Sequence, residues 1–232
     1  MKASISLSIL LAVLLLAAGC NKDDDDKLSI PTNGLMAYFP FSGDATDHGG
    51  KEVATEVKGA LLTTDRAGNS NSAYQFNGNE RIDILNVSFF NAMSAFTVAA
   101  WVRPSQTGIL QTVISKADPG RDFVIQLTAQ DRVNWHYHPD FVGFQTVSSD
   151  SLVAQTGSWI HITAVYNGIQ SRLYINGVLV AEEIPQGVPG WEGEKMQIGA
   201  LAGGAKFHGK IDEVVIYNRA LSASEIASLA SQ

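Results

Sequence analysis

The chain has 232 residues, enough for one large all-β domain or two small ones, and a domain of this length buries roughly 70% of its unfolded surface. With 45% hydrophobic and 17% charged residues it is globular rather than disordered, and a formal charge of −7 leaves no basic surplus for nucleic acid. Its single cysteine excludes an internal disulfide and any multi-cysteine zinc or iron–sulfur site.

At the start, Lys2 precedes an apolar run over residues 5–16 that ends in Ala17-Ala18-Gly19-Cys20. The run is too short to span a relaxed bilayer, so residues 1–19 are predicted to be a signal peptide. Small residues before a lone Cys resemble the lipobox of bacterial lipoproteins, which implies cleavage before Cys20 and a lipid on its thiol. Ala17 stands where that motif usually carries Leu, Val or Ile, and the alternative is an ordinary secretory signal with an incidental Cys. Next come Asp23, Asp24, Asp25 and Asp26 between Lys22 and Lys27. Residues 20–33 read as a lipidated Cys followed by a solvated acidic tether, able to reach ~40 Å when extended. The acidic run also matches a protease-tag scar. Directly after a lipobox it resembles the export signal of some Gram-negative lipoproteins. That resemblance implies a chain anchored in the outer membrane through Cys20 and facing outward.

Residues 34–232 repeat one pattern, short β-branched and aromatic stretches separated by Gly, Asn, Asp and Pro. Strands are predicted at 35–41, 73–76, 81–85, 96–103, 112–116, 123–128, 133–138, 141–147 and 159–166. A hairpin follows, with 173–175 and 178–180 flanking Asn176-Gly177, a pair suited to the two positive-φ positions of a tight turn. Further strands are predicted at 196–199 and 210–217. Only the end reads as helix, where Ser222-Ala223-Ser224-Glu225 forms a capping box ahead of Ile226 and Leu229. The expected fold is therefore all-β: a two-sheet antiparallel jelly-roll sandwich in one domain, with a short C-terminal helix.

Several stretches together carry a family resemblance. They are Leu35-Met36-Ala37-Tyr38-Phe39-Pro40-Phe41, Ala73-Tyr74-Gln75-Phe76-Asn77-Gly78, Phe96-Thr97-Val98-Ala99-Ala100-Trp101-Val102, Leu173-Tyr174-Ile175-Asn176-Gly177 and Gly209-Lys210-Ile211-Asp212-Glu213-Val214. In this order they resemble the laminin-G-like jelly rolls of the concanavalin A-like lectin/glucanase group, whose sandwich hosts lectins, adhesive modules and glycosidases. The laminarinase-type relatives carry Glu-x-Asp-x-x-Glu on one strand face. Here Lys210 and Val215 occupy the two outer positions, so the chain is expected not to be an enzyme. Glu80 with Asp83, or Asp118 with Asp122, remain pairs that could converge in space.

In similar domains a loop and the Ile-Asp-Glu strand share a structural Ca²⁺, which implies Asp47 and Asp212 as ligands, with Asp44 as a weaker candidate. The alternative is an ordinary solvated loop, because Gly49 replaces the serine usual there. Histidine pairs such as His136 and His138 make a weak transition-metal site without a third ligand. Residues 133–144 concentrate aromatics. Trp135 and Tyr137 project to one strand face, Asn134, His136 and His138 to the other. If outward, the aromatic pair is a platform for stacking a sugar ring; if inward, it is core. Trp191, in a loop bounded by Gly and Pro, is expected at the surface. The two functional readings are a surface-anchored carbohydrate-binding module, with Trp135, Tyr137 and Trp191 touching a poly- or oligosaccharide, and a module that binds a surface protein.

Overall fold

The computed structural model describes residues 30–118, 121–138, 144–150, 153–187 and 190–232. The predicted signal peptide, Cys20, the tether up to Ser29, and Phe141 of the aromatic region lie outside the described residues.

Among the described residues the order of elements is β1 (Leu35–Phe39), β2 (Thr55–Lys58), β3 (Leu61–Thr63), β4 (Ala73–Asn77), β5 (Arg81–Ile84), β6 (Phe96–Pro104), β7 (Gln111–Ala117) and β8 (Arg121–Leu127). Then come β9 (Val133–Tyr137), β10 (Gln145–Ser148), β11 (Ile160–Tyr166), β12 (Ser171–Ile175), β13 (Val178–Glu183), β14 (Lys195–Ile198), β15 (His208–Tyr217) and α1 (Ala223–Ala230). One sheet runs β13-β12-β11-β6-β15-β4-β3, with β1 alongside β15 as its eighth strand; the other runs β10-β9-β8-β7-β14-β5-β2. All of these strand pairs are antiparallel. The structure is thus the all-β two-sheet sandwich with a short C-terminal helix that the sequence pattern predicts.

The alternation of each strand decides which side chains enter the space between the sheets. Phe39, Phe41, Phe76, Phe96, Phe123, Trp135 and Tyr137 are all fully buried there. A second apolar cluster lies on the outer face of the eight-stranded sheet. Ile226 and Leu229 of α1 cover Tyr38, Ala99, Tyr174, Val215 and Tyr217 there. Ile30 joins this cluster, and Asn33 carbonyl accepts from Arg219 Nε at 2.7 Å, so the fold takes in residues just ahead of Gly34.

Local signals in the sequence set several details. Asn176 (φ 49°) and Gly177 (φ 79°) form the tight turn between β12 and β13, where only a left-handed pair matches the twist of both strands. Ser222 and Glu225 cap α1 reciprocally. Strands β2 and β3 were not predicted: both lie at sheet edges and are half exposed, so neither carries the apolar run that marks a buried strand.

Candidate functional site

Strand β9 lies between β8 and β10, with Trp135 opposite Ile125 and Val147, and Tyr137 opposite Phe123 and Gln145. Both aromatic rings point into the sandwich. Trp135 meets Phe96 edge-on at 5.9 Å, and Tyr137 lies 5.5 Å from both Trp135 and Tyr166. Neither ring is a platform for a ligand, because Val133, Trp135 and Tyr137 make the apolar side of the strand and burying them removes the most hydrocarbon from water. The polar side, Asn134, His136 and His138, faces out instead. An exposed aromatic does stand beside it: Phe144 lies edge-on to His138 at 5.1 Å.

Trp191, expected at the surface, is half-buried. It packs edge-on against Phe96 at 5.5 Å, with Lys116 Nζ 5.6 Å over its face, and closes one end of the core. A buried ion pair draws its loop inward. Asp122 pairs with Lys116 and accepts the Glu192 and Gly193 amides, each at 2.9 Å, while Lys116 Nζ also donates to Gly193 carbonyl at 2.7 Å. Lys116 and Asp122 are charged residues within β7 and β8, a sequence signal for this anchor that the composition of the loop hides.

The residues expected to share Ca²⁺ have other partners. Asp47 accepts the amides of Tyr38 (2.8 Å) and Gly49 (2.7 Å) on one oxygen and that of Val53 (3.0 Å) on the other. A side chain on Gly49 would put its Cβ 2.9 Å from the same carboxylate, which explains glycine where a serine was expected. Asp44 is solvent-exposed and accepts the Thr46 amide at 2.8 Å, a bond that lowers its pKa. Asp212 is buried on the outer face of the eight-stranded sheet. It takes the Arg66 guanidinium at 2.9 Å and the Glu213 amide at 2.8 Å. A guanidinium and a set of amide donors do not fit a calcium site, which needs six to eight oxygens turned toward one point. Among the described residues no group of three or more His, Cys, Asp and Glu side chains is placed to hold a metal ion.

Around Asp212 the charges are unusual. Burial, then the neighbouring Glu213, push its carboxyl up to about 7 against the pull of Arg66. Glu213 is raised too by burial, and accepts the Tyr38 hydroxyl at 2.6 Å. Trp101 lies beneath Arg66 at 5.0 Å, and His161, in the same cross-strand row, is held neutral by burial with its pKa near 3. The candidate carboxylate pairs are likewise engaged: Glu80 with the amides of Asn77 and Asn79, Asp118 with Lys195, and Asp122 with Lys116.

The outer face of the seven-stranded sheet is different in character. One cross-strand row contains Glu56, Asp83, Gln197, Ser115, Val124, His136 and Thr146, polar at every strand but β8. Side chains along it bond laterally. Asp83 Oδ1 accepts from Arg81 Nε at 2.9 Å and from Gln197 Nε2 at 2.7 Å, and His136 Nδ1 lies 2.8 Å from Thr146 Oγ1. Residues 200–206 cross part of this face. The Ser115 hydroxyl donates to Ala200 carbonyl at 2.7 Å and Leu201 packs on Ala117 and Val124. Beside that crossing segment lies a cleft of about 450 Å³ whose lining includes Arg81, Asp83, Gln197, Leu85, Leu201 and Lys206. Among the described residues Gln197 Oε1 is buried without a hydrogen-bond partner, and Lys206 Nζ donates to Asn79 carbonyl at 3.2 Å. The cleft therefore offers a fixed carboxylate and amide side by side, a cation at the edge and an apolar wall.

A laminin-G family model of the concanavalin A-like lectin/glucanases superfamily matches residues 66–227. The chain belongs to that superfamily. In human usherin (Homo sapiens), a stretch is 26% identical to this laminin-G-like domain over 171 residues, 70% of the present chain but 3% of usherin. Two solved structures share the fold. The binding domain of paraclostridial mosquitocidal protein 1 superposes with a TM-score of 0.71 at 21% identity, over 86% of this chain and 52% of that one. Domain 4 of AbnA, a GH43 extracellular arabinanase from Geobacillus stearothermophilus solved with arabinotriose, superposes with a TM-score of 0.65 at 22% identity. That match covers 84% of this laminin-G-like chain and 98% of the arabinanase domain.

Proposed function

We propose that the domain is a non-catalytic carbohydrate-binding module whose ligand lies in the cleft on the outer face of the seven-stranded sheet. The observation that carries this reading is the floor of the cleft. Arg81, Asp83 and Gln197 hold one another rigidly, and Gln197 Oε1 still has an acceptor to offer. Adjacent planar groups with fixed donors and acceptors suit neighbouring sugar hydroxyls, and the volume is within the range of small-molecule sites. The likeness to an arabinotriose-bound domain supports it at the level of fold.

The test is binding of a glycan panel to the soluble chain that starts after the signal peptide and carries Cys20→Ser. Asp83→Ala and Gln197→Ala are each expected to weaken the bound glycan at least about tenfold, the scale of a lost charge-assisted hydrogen bond, with little change in melting temperature. If no glycan binds, or both variants bind like wild type, the reading fails. One observation favours a second reading. On the edge strand β13 and just beyond it, Val178, Leu179 and Ile184 are exposed, an apolar strip suited to a protein partner.

The same reading places the module at the cell surface, with Cys20 carrying the lipid and the acidic segment lifting the domain off the outer membrane. Cys20→Ser is expected to move the protein from the membrane to the soluble fraction. Protease treatment of intact cells tests outward display: a wild-type domain that survives shaving rules it out.

A further inference from the structure

At the margin opposite the cleft, the edges of the two sheets come together. Tyr137 and Gln145 face inward from β9 and β10, while Ser171 and Glu183 are paired across β12 and β13. Between them is a notch of about 80 Å³, lined also by Ile184 and Pro185. The Tyr137 and Ser171 hydroxyls are buried and face each other, and among the described residues neither has a partner besides the other. A mutual bond uses one donor and one acceptor and leaves a hydroxyl proton and further lone pairs without a partner, which is uncommon for buried hydroxyls. A carboxylate at the rim and a short apolar wall of Ile184 and Pro185 complete a setting with donors, an acceptor and hydrocarbon, the mixture that selects a small hydroxylated group.

We propose that this notch is a second ligand site, taking a hydroxymethyl group presented by the end of a saccharide or by a free polyol. Its size admits such a group and excludes a whole pyranose ring. Tyr137 and Ser171 bind the hydroxyl, Glu183 accepts its proton in a hydrogen bond, and Ile184 covers the methylene. The site does not depend on the cleft at Asp83, which lies five strands away, about 24 Å along the sheet.

Amide chemical shifts of the soluble Cys20→Ser chain test it, with methyl β-glucopyranoside, methyl β-xylopyranoside and glycerol as probes. The first carries the hydroxymethyl group and the second is the same ring without it. The glucoside is expected to shift the amides of Gln145, Ser171 and Glu183 in a saturable way, and the xyloside to leave them in place. Tyr137→Phe, which keeps the buried ring, and Ser171→Ala are each expected to weaken this binding about tenfold, while Asp83→Ala leaves it unchanged. Saturation by glycerol as well identifies a free polyol as a sufficient ligand. Equal response to glucoside and xyloside, no response to any probe, or full binding by both hydroxyl variants overturns the proposal. Because Asp83→Ala separates the two sites, either can fail alone.

Discussion

Lys116 is a charge with no access to water, and its partner Asp122 is nearly as buried. Removing one member leaves the other desolvated and unpaired, and such breaks typically cost 3–5 kcal/mol. Lys116→Met is therefore expected to lower unfolding free energy by about 3–5 kcal/mol in a urea titration, and to free the loop that carries Trp191. Asp212 works in the opposite sense. Folding raises its affinity for a proton from the ordinary 3.8 to about 7, so the folded state binds more protons than the unfolded one between those values. Its contribution is complete below about pH 4 and is lost as pH climbs through about 7. Asp212→Asn is expected to flatten the fall in stability across that window. A slope unchanged by the substitution would show that Asp212 keeps an ordinary pKa. Trp135→Ala, at a fully buried ring, is expected to cost about 3–5 kcal/mol, whereas a ligand platform would lose little.

At the scale of elements, legibility followed burial pattern. Strands with apolar runs, such as β6 and β11, and the Asn176-Gly177 turn are written plainly in their own residues. Strand β9 is written ambiguously, because alternation places Trp135 and Tyr137 on one face but leaves open which face is inner; only the partner strands β8 and β10 decide. Helix α1 is legible at its start. The Arg219 ion pair, and after it the capping box, hold the Glu225 carboxyl down to about 2. A carboxyl lowered on folding stabilises above its ordinary pKa and stops doing so as pH falls through about 2. Ser222→Ala is expected to cost about 1 kcal/mol and to loosen the cover over Tyr217, read as faster amide exchange in the helix. The loop of Asp44 and Asp47 misled in another way. The resemblance implied a shared metal there, but the backbone amides that saturate Asp47 are invisible in sequence. Melting curves in chelator and in millimolar Ca²⁺ are expected to superimpose, and a rise with Ca²⁺ would overturn that assignment of donors.

For the molecule as a whole, the sandwich was readable and the binding surface was not. The sheet face at Asp83, Gln197 and Lys206 is assembled from β5 and, more than a hundred residues later, from β14 and the segment that follows it, and none carries a local motif. Strand β15 shows what such assembly demands. It is the last strand made, yet it sits inside the eight-stranded sheet, with β6 on one side and β4 and then β1 on the other. A chain emerging N-terminus first, from a ribosome or a membrane pore, cannot close that sheet until β15 is free. The sheet is therefore completed only when β15 joins β6, β4 and β1, and such long-range closure makes folding slow. Ending the chain at residue 207 is expected to abolish the cooperative unfolding transition altogether, and a truncated chain that still melted sharply would show that β6 finds its partners without the last strand.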